Sequence, residues 1–219
     1  DGQRAVRLVR SEAQKRGFNP ERIGVMGASA GGHLTTLLAT SSLTPAYEAI
    51  DQLDAIPCHI NWAVLACSAY VLTDGLTGPN TRKGDAIDVK LSDVFKFDTK
   101  TCPMALFHGG MDHHAPNGST QLYRQLRRMK IPAEIHLFAD RGHVFWGDAT
   151  KGDDGAAYDH WIDRVCEFFR QMNYDGKLGK EVDLMSRYPD DDARGEYSKE
   201  PVWPKGKMPD VQAKQCKPY

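Results

Sequence analysis

Ser29 stands at the centre of Gly27-Ala28-Ser29-Ala30-Gly31, with Arg22-Ile23-Gly24-Val25-Met26 before it and Leu34-Thr35-Thr36-Leu37-Leu38-Ala39 after it. A serine hydroxyl is a poor nucleophile until a base takes its proton, and the base needs a carboxylate to fix its tautomer. Two downstream segments offer such partners: Asp112 in His108-Gly109-Gly110-Met111-Asp112, and His143 in Asp140-Arg141-Gly142-His143-Val144-Phe145. The chemistry these three would support is acyl transfer through a serine-bound intermediate. Each also has a plainer reading. Ser29 is then a small residue in a tight turn, Asp112 a loop carboxylate capping the next helix, and His143 a solvated loop histidine. Asp140 is a rival acid, but it lies too near His143 in sequence for the usual face-on approach. His108, His113 and His114 cluster with Asp112; a metal site is one reading, and solvated histidines at a pocket mouth are the other. No metal and no cofactor are expected.

These residues need elements that hold them. Residues 22–27 read as a buried strand and 30–41 as a helix, so the pentapeptide is strand, sharp turn, helix, with small residues letting the backbone bend at the serine. Residues 3–17 carry Ala5, Val6, Leu8, Val9 and Ala13 at near-helical spacing, and Gly17 with Asn19-Pro20 ends that helix. Residues 42–60 show no clear period. Strands are expected at 61–67, 104–107 and 133–138, a short helix near 91–95, and helices at 117–129 and 156–172. Residues 68–101 otherwise read as an irregular excursion. Strands alternating with helices imply an α/β fold with a mostly parallel sheet and right-handed crossovers. In such sheets reactive groups gather beyond the carboxyl ends of the strands, where Ser29, Asp112 and His143 all fall.

GVMGASAGGHL, FHGGMD and DRGHVF, in that order, resemble the nucleophile, acid and histidine segments of α/β-hydrolase serine esterases. The likeness is to bacterial carbohydrate esterases of the acetylxylan and feruloyl type and spans residues 1–173. It implies Ser29 as nucleophile, Asp112 as orienting carboxylate, His143 as base and the Ala30 backbone N–H as an oxyanion donor. Tyr70, Met111, Phe145 and Trp146 are candidates for the acyl or sugar pocket, with core packing the competing role for Phe145. His33 is expected to pack at the start of its helix. The implied substrate is acylated carbohydrate or another small ester, and the implied location is secreted or periplasmic. The chain itself shows no export signal at its start. The strands that precede 22–27 in the family, and its second oxyanion donor, are also expected to be missing. A neighbouring copy or self-association is one source for such strands. Two rival readings stand beside the esterase: a prolyl-oligopeptidase-like peptidase, and a catalytically impaired binding module.

Composition narrows the field further. The 219 residues carry 28 Lys and Arg against 29 Asp and Glu, a formal net charge of −1. That balance gives no electrostatic reason to expect nucleic acid or an anionic membrane as partner. No apolar run reaches the roughly 18 residues of a membrane helix. The five cysteines are scattered, with no Cys-x-x-Cys, which argues against structural zinc and favours buried free thiols over a disulfide. The catalytic domain is placed at 1–175. Residues 176–219 hold five of the twelve prolines and few apolar residues, so they are read as an extended, charged arm that builds no core. Within it Pro201-Val202-Trp203-Pro204 resembles the segment that opens many of these esterases. A permuted order, a fragment of tandem copies, a docked terminal arm and a disordered tail are its four readings.

Overall fold

The computed structural model describes residues 1–73, 90–143 and 156–174. The expected arm at 176–219, and Phe145 and Trp146, lie outside the described residues. Four strands form one parallel sheet in the order β1 (Gly24–Ala28), β2 (Trp62–Ala66), β3 (Met104–Gly109), β4 (Ala133–Phe138). Helix α3 (Ala30–Thr40) links β1 to β2, and α4 (Asn117–Arg128) links β3 to β4. Helices α1 (Gly2–Ser11) and α2 (Ala13–Arg16) precede the sheet, and α5 (Ala156–Gln171) follows it.

Alternation along the central strands builds two cores. Ala63 and Leu65 of β2, with Met104 and Leu106 of β3, pack with Leu38 of α3, Leu122 and Leu126 of α4 and Val6 of α1. The intervening Val64, Ala66, Ala105 and Phe107 face Trp161, Val165 and Phe168 of α5. This is the pattern of a parallel sheet covered on both sides, where continuous apolar runs replace alternation with polar residues.

Two expected elements differ. The helix of 3–17 is broken at Glu12 into α1 and α2, and it ends at Gly17 with φ 73°, a left-handed cap that glycine reaches without a Cβ penalty. Near 91–95 there is no helix; Leu91 instead makes an isolated antiparallel bridge to Leu72. The 42–60 connection contains a short 3-10 turn, Gln52–Ala55, capped by Asp51. Among the described residues no helix is long and apolar enough to cross a membrane. Cys58, Cys67, Cys102 and Cys166 are free thiols.

Candidate active site

β1 delivers Ser29 into a turn so tight that φ is 54° and ψ −123°, and α3 begins at the next residue. The tightness explains the glycines. A Cβ on Gly27 would come within 2.2 Å of the Gly31 carbonyl, and one on Gly32 within 2.4 Å of the Ser68 hydroxyl oxygen. Gly31 is different: a Cβ there would meet nothing within 4 Å. The close approaches therefore fall on Gly27 and Gly32, not on both ends of the pentapeptide.

The loops after β3 and β4 are tied to each other. The Gly110 amide donates to the Phe138 carbonyl at 2.7 Å and the Met111 amide to the Arg141 carbonyl at 2.9 Å. A Cβ on Gly109 would strike the Arg141 and Gly142 carbonyls at 2.3 Å, so that crossing too requires glycine. The result brings together three residues far apart in sequence. His143 Nδ1 lies 2.8 and 3.0 Å from the two carboxylate oxygens of Asp112, and His143 Nε2 lies 2.8 Å from Ser29 Oγ. An ionised carboxylate only accepts, so Nδ1 carries the proton and Nε2 turns its lone pair to the serine hydroxyl. Asp140 points elsewhere, 76% exposed and beside Arg141.

Asp112 is enclosed, its side chain 0% exposed. Burial alone would push its carboxyl up. Hydrogen bonds from His108, His143, the His114 amide and the Cys67 thiol outweigh that and hold it well below the usual carboxylate range. Asp112 also accepts from the His114 amide at 2.8 Å, a turn within its own loop; α4 starts at Asn117 behind Pro116 with no side-chain cap, so Asp112 does not cap the helix that follows. Cys67, directly after β2, is buried, and burial pushes its thiol far up.

The histidines divide. His108 is fully buried. Its Nε2 faces the His114 carbonyl at 2.8 Å and Asp112 Oδ2 at 3.2 Å, while Nδ1 meets Ser119 Oγ at 2.7 Å. It is neither solvated nor open to an ion; it braces Asp112 from behind. The signal for this lay in the strand period, since residue 108 shares the α4-facing side of β3 with Met104 and Leu106. His113 and His114 stay at the surface side of the site, their rings 4.7 and 5.0 Å from the His143 ring. Burial, then the neighbouring His113 and His143, lower the pKa of His114. His33, near the start of α3, packs on Phe95 and donates from Nδ1 to the Tyr70 carbonyl at 3.0 Å.

Ala30 is exposed and supplies the first amide of α3, one of the helix-opening N–H groups without an intrahelical acceptor. Tyr70 is half-exposed, at φ 58°, edge-on to His114. Met111 is 72% exposed. The arrangement can pass a proton from the Ser29 hydroxyl to His143 while Asp112 offsets the developing imidazolium charge.

The chain is similar to several known proteins. A Salmonella typhimurium protein, provisionally named a carboxymethylenebutenolidase, is 30% identical over 173 residues, covering 78% of this chain and 53% of that protein. The chain thus spans about half the length of that relative. The esterase from Thermogutta terrifontis, solved with propionate bound, superposes with a TM-score of 0.62 at 25% identity, over 80% of this chain and 64% of its own. An acetyl ester-xyloside bifunctional hydrolase from Caldicellulosiruptor lactoaceticus gives 0.58 at 23%, over 79% and 65%. The fold is that of the α/β-hydrolases. The prolyl oligopeptidase family (Peptidase_S9) matches residues 5–171, all the way from α1 to the end of α5, and the chain belongs to that family.

Proposed function

We propose that this protein is a serine carboxyl-ester hydrolase that removes short acyl groups, acetyl foremost, from plant cell-wall carbohydrate such as xylan. The observation that carries the reading is the unbroken relay from Ser29 Oγ through both nitrogens of His143 to Asp112. Ser29 attacks the ester carbonyl as its proton moves to His143 Nε2. Asp112 stabilises the imidazolium, and the Ala30 amide at the positive end of α3 meets the developing oxyanion. His143 then protonates the departing sugar alcohol. Water, activated by the same nitrogen, attacks the acyl-serine and releases acetate, so every proton returns to its origin and the steps call for no cofactor. The carbohydrate preference is supported by the likeness of the three segments to acetylxylan and feruloyl esterases, and the short acyl group by the propionate held by the Thermogutta esterase.

Membership of the prolyl oligopeptidase family supports a second reading, a serine peptidase cleaving after proline with the same three residues. Initial rates on p-nitrophenyl acetate, acetylated xylan and a Gly-Pro-p-nitroanilide separate the two. Ester turnover that falls at least about a thousandfold in Ser29→Ala is the expected result. Faster cleavage of the anilide than of the esters establishes the peptidase. Absence of Ser29-dependent turnover on all three leaves a binding module.

A further inference from the structure

His113, His114 and His143 place one ring nitrogen each within 4.8 Å of one another; His113 is exposed, and His114 and His143 are partly buried. Their ring centroids stand 4.5, 4.7 and 5.0 Å apart, at mutual tilts of 44° to 52°. Three imidazoles on a tetrahedral ion, each with a nitrogen about 2.1 Å from the metal, hold those nitrogens about 3.4 Å apart. Closing that gap calls for side-chain rotation, and His113, 45% exposed with its Nδ1 3.7 Å from Asp112 Oδ1, is the ring with solvent on one side. His143 already has the environment of a metal-bound histidine. Its Nδ1–H is donated to a buried carboxylate, which fixes the ring and leaves Nε2 as the ligating atom.

We propose that His113, His114 and His143 form a binding site for a divalent transition-metal ion of the zinc class, and that occupancy switches the hydrolase off. Imidazole nitrogens suit zinc, copper and nickel, whereas oxygen-seeking calcium and magnesium find too few donors here. The ion takes His143 Nε2, the atom that must accept the Ser29 proton, so metal and nucleophile compete for one lone pair. A solvent molecule or the serine oxygen completes the coordination. His108 is not a ligand, because both its nitrogens are spent in the interior. A second set, Cys67, Asp112 and His143, also converges. It offers no open side, the carboxylate being enclosed and already hydrogen-bonded.

The switching half rests on the ester-hydrolase reading, and the binding half does not. Isothermal titration of zinc chloride into the untagged protein is expected to show one ion per chain at micromolar affinity. Binding is expected to persist in Ser29→Ala and to weaken at least tenfold in His113→Ala and in His114→Ala. With p-nitrophenyl acetate, zinc inhibits and a chelator restores the rate. Measured against its own zinc-free rate, His113→Ala needs at least tenfold more zinc for the same fractional inhibition. Binding that is absent, or indifferent to both histidine substitutions, overturns the site. Binding that responds to both substitutions without inhibiting a Ser29-dependent rate overturns the switch. A protein with no Ser29-dependent turnover fails the hydrolase reading while the titration still judges the metal site.

Discussion

Ser29 occupies φ 54°, ψ −123°, outside the regions an L-residue adopts with ease, and such backbones cost about 1–3 kcal/mol. Hydrogen bonds hold it there. Its amide donates to the Ala66 carbonyl at 3.0 Å, and its carbonyl accepts from Gly32, His33 and Ala69 at 3.0, 3.3 and 3.1 Å. The strain aims the hydroxyl at His143, so it should be separable from the hydroxyl. Ser29→Ala and Ser29→Gly both lose the bond to His143, but only glycine relieves the clash of Cβ with the backbone. Urea unfolding should therefore find Ser29→Gly more stable than Ser29→Ala by about 1 kcal/mol, even after the extra chain entropy that glycine loses on folding. Equal stabilities would mean that the turn stores nothing. The three residues of the relay were legible because their types are few and each follows an apolar run. The brace behind them is legible only in part: the parity that residue 108 shares with Met104 and Leu106 turns it towards the core, but not onto Ser119 and Asp112 in particular.

Among the elements, β2 and β3 could be read from apolar runs, because burial on both faces leaves few polar residues to confuse them, whereas β1 and β4, at the two ends of the described sheet, are only partly buried. Connections were harder, since they are settled by particular polar contacts and not by period. Arg10 shows this. It sits among the charged positions of α1 yet is buried, its guanidinium donating to the carbonyls of Pro20, Pro57 and His59. One face of α1 is likewise tied to the 3-10 turn. Arg4 bonds Asp54 at 2.9 Å, Arg7 donates to Tyr47 Oη at 2.7 Å, and the Tyr47 hydroxyl donates to Asp54. The Tyr47 hydroxyl, then the Ile50 amide, hold the Asp54 carboxyl at about 2, below its ordinary 3.8. The folded state thus favours ionised Asp54 more than the unfolded chain does. That contribution is complete above the unfolded value and is lost as pH falls through the interval down to about 2. Thermal midpoints of the protein and of Asp54→Asn should differ most above pH 5 and converge as pH drops from 4 towards 2. A gap that is constant with pH would show that the clamp works by shape and not by charge.

Across the molecule, the sheet is a partition between two apolar layers, and the site lies along the rim where its strands end. The α3 and α4 side holds more of the core, whereas among the described residues α5 covers the other face together with Met172 and Tyr174 just after it. Its Phe168 is 3% exposed, packed in the layer that contains Val64, Ala105 and Phe107, and the α4 residue Leu122 is 0% exposed in the opposite layer. Because β2 and β3 contribute alternate residues to both layers, losing one layer strips the strands that the other rests on. Phe168→Ala should cost about 3–5 kcal/mol and Leu122→Ala about 2–5 kcal/mol, as expected for large apolar truncations in a packed interior. The more telling outcome is the form of the transition. Helical circular dichroism and tryptophan fluorescence should report the same urea midpoint in both variants, since neither layer stands without the other. If Phe168→Ala loses its fluorescence transition early while most helical signal persists, α5 is a separable cover. The loops after β3 and β4 would then be held mainly by their bonds to each other.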